Sequence, residues 1–314
     1  MKDSILGCFL GYAIGDALGL ATEFMTKPQA AMRYPAGARR YEDIYRDAHR
    51  SQWERGDFTL DTEIVLRLAE VLNDNGHVSP VEFSRMLKEW YTQFPYDFDS
   101  HFRRNFKEAS YAEDPIGTCR RVWEATPRPE AWNEALGRAM LMGLCRDDVE
   151  RKVTENCQCT HYDPRCVSSA VVIGKMANSL LWKGEMADYD DLVALCEEID
   201  ERTIPYLRLA HEADISRLRL DDSETYWYTR KTMAAALWAL WHDDGDPMQA
   251  AYAVIDEAGD GDTNAALALG LLGLKHGPSI LPQHLLDGLL QRERVVTVAR
   301  RFAEGLFAFN KVES

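Results

Sequence analysis

The chain has 314 residues, 46% of them hydrophobic, and a formal net charge of −15. That length suits one large domain or two ordinary ones, and the charge argues against the basic face that a broad nucleic-acid footprint needs. No run reaches the roughly 18 apolar residues of a membrane span, and the first residues lack a secretory cleavage pattern. With an odd count of seven cysteines, a reduced, cytoplasmic setting is expected.

The chain opens with glycines four apart, Gly7, Gly11, Gly15 and Gly19, followed by Glu23-Phe24. That spacing puts the glycines on one helical face, where a second helix can approach closely. Each costs about 1 kcal/mol against alanine in a helix, so the set asks for a packing or functional reason. Next comes Gly56-Asp57-Phe58-Thr59-Leu60-Asp61-Thr62. Leu60, Ile64, Leu68, Val71 and Leu72 then recur near the helical period, and Thr59 or Asp61 is a natural cap for that helix.

The aromatic stretch Trp90, Tyr91, Phe94, Tyr96 and Phe98 reads as core or loop anchor. Its acids Asp97 and Asp99 read as turn residues, with a lid over a cleft as the alternative. Cys157, Cys159, His161 and Cys166 have a spacing that fits no common zinc finger or knuckle. Tyr226-Trp227-Tyr228 reads as core or exposed apolar contact, with stacking on a base as the alternative. Met233 to Trp241 and Asn264 to His276 read as helices, the second ending at Gly277-Pro278. There Lys275 and His276 suit the helix dipole. Leu281 to Phe309 carries two further helical segments at most. No strand spacing or hairpin signal appears, and the polar stretches are too short to divide the chain. The expected fold is all-α, a single domain over 1–314.

The second acidic segment, Gly259-Asp260-Gly261-Asp262-Thr263-Asn264, lies about 200 residues beyond the first. Read alone it is an Asx-turn and helix cap. Facing the Thr59–Thr62 segment, it would supply the all-oxygen ligands that suit Mg²⁺ or Mn²⁺ rather than zinc or copper.

In this order the segments resemble the ADP-ribosylglycohydrolase family. The matching pieces are Gly11-Tyr12-Ala13-Ile14-Gly15-Asp16-Ala17-Leu18-Gly19 with Glu23-Phe24, Thr59-x-Asp61-Thr62, Thr160-His161-Tyr162-Asp163-Pro164-Arg165, and Gly259-Asp260-x-Asp262-Thr263-Asn264 continuing to Gly270-Leu271-Leu272-Gly273. The resemblance implies a compact all-α fold with a two-metal centre. Its metal ligands would be Thr59, Asp61, Asp260, Asp262 and Thr263. Glu23 would act at the ribose as the catalytic acid or base, and His161 would line the ADP-ribose cleft. Asp16, Gly117, Thr118 and Gly137 would be further substrate-binding positions.

Two departures stand out. Leu60 replaces the first aspartate of the family's Thr-Asp-Asp-Thr, which leaves one metal feasible and weakens a second. Leu136-Gly137-Arg138-Ala139-Met140-Leu141 replaces the family's Asn-Gly-x-x-Met-Arg, with Arg138 as a substitute donor. The implied activity is metal-dependent removal of ADP-ribose from a protein side chain, arginine first. The implied partner is an ADP-ribosylated protein or an ADP-ribose-containing small molecule. The alternative is a catalytically weakened relative that binds ADP-ribosylated targets or inhibits an ADP-ribosylating toxin.

Overall fold

The computed structural model describes residues 1–75, 78–94, 98, 100–128 and 130–309. Tyr96, Asp97 and Asp99, and with them the lid reading, lie outside the described residues. Among these, the regular structure is helical: α1 Lys2–Gly19, α2 Lys27–Arg33, α3 Leu60–Asn75, α4 Pro80–Gln93, α5 Ser100–Lys107, α6 Pro115–Ala125, α7 Leu136–Gly143 and α8 Val149–Gln158. There follow α9 Pro164–Trp182, α10 Tyr189–Ile199, α11 Ile204–Glu212, α12 Thr229–Trp241, α13 Pro247–Asp256, α14 Gly261–His276, α15 Gln283–Gly288 and α16 Arg292–Phe309. The all-α expectation holds, and so do the two helical segments after Leu281. No helix among the described residues is long and apolar enough to cross a membrane.

Several helix starts follow from one local device. Ser79-Pro80, Asp114-Pro115, Asp163-Pro164 and Asp246-Pro247 each place a capping oxygen before a proline, and the oxygen accepts a backbone N–H of the first turn. Proline fits there because its missing N–H would have had no helical partner.

The centre of the molecule is the antiparallel pair α1 and α14. Both are apolar on nearly all sides; in α14 every residue from Gly261 to Leu274 is buried. An all-round apolar helix of this kind is a core helix. Helices α12 and α13 pack on α14, α16 packs on α1 and α3, and α9 gathers α7, α8 and α10.

The glycines of α1 explain how close the central pair is. A Cβ at Gly7, Gly11, Gly15 or Gly19 would collide with the backbone carbonyl of Gly273, Leu269, Ala265 or Gly261, respectively. The two helices therefore touch backbone to backbone along their length, and the last contact seats the end of α1 on the beginning of α14. Gly11→Ala gains about 1 kcal/mol of helix propensity. The forced separation outweighs that gain, so a net loss of about 2 kcal/mol is expected in urea unfolding.

The aromatic stretch divides. Trp90 and Phe98 are buried and pack edge to face, while Phe94 is exposed. Lys275 and His276 both reach the Asp243 carboxylate, at 2.8 and 2.7 Å, and so tie the end of α14 to the turn after α12.

Candidate metal centre

Two isolated backbone bridges assemble the site. Beyond α1 the chain runs parallel to the residues before α14, with Glu23 bridged to Gly259. Phe24 N–H donates to the Gly259 carbonyl at 2.7 Å, and Gly259 N–H to the Met25 carbonyl at 3.0 Å. Gly259 adopts φ 79°, and a side chain there would strike the Leu220 carbonyl, so this turn requires glycine. The second bridge pairs Trp132 with Tyr228 and presents Asn133 and Glu134 ahead of α7.

The carboxylates of Glu23, Asp260 and Asp262 converge here. All three residues are buried, and each offers an oxygen within 4.8 Å of the others. Asp260 precedes α14 but makes no side-chain cap bond. Its Oδ2 instead accepts from Asn133 Nδ2 at 2.5 Å. The Asx-cap reading therefore does not account for it. Asp262 Oδ1 accepts from Thr263 N–H at 2.8 Å, and the Thr263 hydroxyl donates to Asp61 Oδ2 at 2.8 Å. Thus the two acidic segments meet, 202 residues apart in sequence.

The electrostatics follow from packing acids together. Burial, with Glu23 beside it, pushes the Asp260 carboxyl up to about 7. Burial, then Glu23, Asp260 and Asp61, raises Asp262 well above the carboxylate range, and burial with Asp16 and Asp260 does the same to Asp61. The buried Tyr12 phenol is raised too, by burial and then by Asp61, Asp16 and Asp262. An all-oxygen group of buried acids that repel one another is the donor set of a hard divalent cation. The Asn133 Oδ1, buried beside Asp260, has no hydrogen-bond partner among the described residues. Such an orphan marks a place where a ligand is wanted.

Asp16 was expected at the substrate. It is fully buried, and its carboxylate accepts from Thr59 N–H, Thr62 N–H and the Thr62 hydroxyl at 3.0, 3.0 and 2.6 Å. Asp16 and Thr59, whose Oγ1 accepts from Asp61 N–H at 3.3 Å, cap α3 together, and Asp16 orients the Thr59–Thr62 segment toward α14. Burial raises it to about 6. Leu60, at the start of α3, packs partly buried against the core.

The other expected binding positions have the following surroundings. His161 is fully buried; its Nε2 meets Glu134 Oε2 at 2.8 Å and its Nδ1 the Thr160 hydroxyl at 2.8 Å. Through these contacts it holds Glu134 in place. Arg138 is also fully buried, over the Phe83 ring, and donates to Asn156 and Thr160. It is therefore a core guanidinium and not a substitute donor to a ligand. Gly137 leaves room for the Tyr12 phenol. Gly117 N–H is taken by the Asp114 cap, against whose carboxylate the glycine lies, and Thr118 is buried on Ser110. Cys157, Cys159 and Cys166 donate to backbone carbonyls and form no zinc site with His161.

Several site residues carried no sequence motif. His49 Nε2 meets Glu23 Oε2 at 2.6 Å. Arg50, buried, donates to the carbonyls of Leu20, Ala21 and Glu23 and to Asp47, clamping the turn after α1. Both lie in the irregular segment before α3, where no periodicity marks position. Asn133 and Glu134 are a short polar pair between helices, with nothing local to distinguish them from a linker.

Comparison with known proteins agrees with this architecture. The family model for ADP-ribosylglycohydrolase matches residues 1–309. The chain is 26% identical to the ADP-ribosyl-[dinitrogen reductase] glycohydrolase of Rhodospirillum rubrum, over 98% of this chain and 97% of that relative. It is 24% identical to an ADP-ribosylarginine hydrolase of Serratia proteamaculans, over 95% of this chain and 78% of that one. A solved ADP-ribosylglycohydrolase-related protein complex superposes with a TM-score of 0.71 at 25% identity, covering 97% of this chain and 98% of that one. With helices, acidic segments and glycine pairing all running in one order along the chain, the protein belongs to the ADP-ribosylglycohydrolase family.

Proposed function

We propose that this protein is a metal-dependent hydrolase that removes ADP-ribose from a modified protein, with arginine as the carrier side chain. The observation that carries the reading is the buried convergence of Glu23, Asp260 and Asp262 where α1 ends and α14 begins. Two relatives' names, one a dinitrogen reductase glycohydrolase and one an arginine hydrolase, support the substrate class.

The residues that would hold Mg²⁺ or Mn²⁺ are Asp260, Asp262 and Thr263, with Asp61, which accepts from the Thr263 hydroxyl, and Thr59. When bound, the cation supplies positive charge that fixes the ribose hydroxyls and offsets the clustered carboxylates. Glu23 stands at the mouth of this cluster. His49 Nε2 occupies Glu23 Oε2, which leaves Oε1 to take the proton of a water attacking the anomeric carbon. The C–N bond to the guanidine breaks through an oxocarbenium-like transition state. Glu23 then returns that proton to the leaving nitrogen. The Arg50 clamp on the carbonyls of the α1 exit keeps Glu23 directed at the same point throughout.

Leu60 favours one second reading. Because its side chain packs on the core where a ligating carboxylate would stand, a binder without turnover is the alternative. The deciding measurement is release of ADP-ribose from mono-ADP-ribosylated arginine and serine peptides, with Mg²⁺, with Mn²⁺ and with chelator. Metal-dependent release from the arginine peptide is expected. ADP-ribose binding with no release would establish the binder instead.

A further inference from the structure

We propose that the cleft leading outward from Glu23 is the docking site for the polypeptide segment that carries the ADP-ribosylated side chain, a subsite that rests on the hydrolase reading above. The cleft has a volume of about 560 Å³ and is lined by Glu23, Phe24, Met32, Arg33, Tyr45 and Asp47, among others. That is the size of a whole ligand site, larger than one side chain fills.

Its surface is unlike the rest of the molecule. Seven large hydrophobic side chains are exposed among the described residues; three of them, Phe24, Met32 and Tyr45, line this cleft, and a fourth, Trp227, packs on Phe24. Met32 is 78% exposed on α2. Phe24 holds φ 58°, a left-handed conformation that is uncommon for a bulky residue, and its ring packs against His49 and Trp227. A left-handed aromatic that is still 41% exposed beside the proposed catalytic acid presents a contact surface to something outside the chain.

Charge decides which part of the substrate this is. The cleft carries Glu23 and Asp47, on a chain of net charge −15. The Arg50 guanidinium is buried on backbone carbonyls and Asp47. The Arg33 guanidinium lies 3.8 Å over the Tyr45 ring. With two acids against two arginines, one of them buried and one stacked on Tyr45, this lining has little free positive charge for a pyrophosphate and suits a neutral polypeptide with an apolar side chain near the modified residue. Because the cleft starts at Glu23, that segment continues directly from the bond to be cut.

The test compares two substrates of one linkage: an arginine-ADP-ribosylated carrier protein and free ADP-ribosylarginine. Met32→Asp, at a position exposed enough to leave folding intact, is expected to lower kcat/KM for the carrier about tenfold and to leave the small substrate unchanged. Met32→Leu is expected to retain the carrier activity. Equal losses on both substrates would assign the cleft to ADP-ribose and overturn the proposal, as would no loss on either. Absence of hydrolysis by the unaltered protein would refute the hydrolase reading alone. Binding of the modified carrier in Mg²⁺ then decides docking by the same comparison, with weaker binding by Met32→Asp supporting it and equal binding overturning it.

Discussion

Asp262→Asn and Glu23→Gln are each expected to lower ADP-ribose release by about 10³-fold, the scale set by removing one charge-stabilising or proton-transferring group. The two substitutions separate in stability. Asp262 is buried among Glu23, Asp260 and Asp61, and each of these carboxylates raises its pKa. An amide at this position keeps an Oδ1 to accept from Thr263 N–H and removes the repulsion. Metal-free Asp262→Asn is therefore expected to melt at a higher temperature than the unaltered protein and to gain little from added Mn²⁺. Glu23→Gln likewise lifts repulsion from Asp260 and Asp262, but it also weakens the hydrogen bond to His49, which is 28% exposed. The two effects oppose each other, so its melting temperature is expected to change less. Full activity in both variants would remove Glu23 and Asp262 from the site. An Asp262→Asn protein less stable than the parent without metal would mean that the cluster is not held under repulsion.

How much of this was legible beforehand depends on what each residue does locally. The glycines of α1 were readable because a four-residue spacing has one geometric meaning on a helix; their partner helix was not, because the collision of Gly11 with Leu269 depends on residues far apart in sequence. The acids at 61, 260 and 262 stood out because carboxylates crowd two helix starts. Their separate explanation as caps is half right: Thr59 does cap α3, with Asp16 added from another helix, while Asp260 caps nothing. Gly117 and Gly137 also have local packing reasons, in the Asp114 cap and the Tyr12 phenol, that depend on neighbours folded against them. His161 and Arg138 show the converse problem. Both are polar types that the sequence offers as ligand contacts, yet it contains no sign that Glu134, Thr160 and Asn156 would draw them inward. His49 and Asn133 were invisible because the groups they contact, Glu23 and Asp260, are brought to them by tertiary packing alone.

The metal-free protein is expected to lose stability as pH rises from about 5.5 to 7.5, and divalent cation is expected to restore it. Asp260 rises from 3.8 to about 7 on folding and Asp16 to about 6, while Asp61 and Asp262 also rise. Between the unfolded and folded values the native state binds more protons than the unfolded chain. Stability therefore falls with rising pH across that window, because each carboxyl must ionise while buried beside others. The paired acids have the opposite sign. Glu63 with Arg294 and Arg67, and Asp200 with Arg202 and Arg230, are held below their usual values. Their contribution is complete above the unfolded value and fades only at more acid pH, outside this window. Thermal melting at both pH values, with EDTA and then with millimolar Mg²⁺ or Mn²⁺, checks the argument. The melting temperature in EDTA should be lower at about pH 7.5 than at about 5.5. The rise on adding cation should be larger at the higher pH, since a cation competes with protons for the same oxygens. A melting temperature that climbs with pH in EDTA, or a cation response confined to the acid side, would show that these carboxylates are not the groups that bind it.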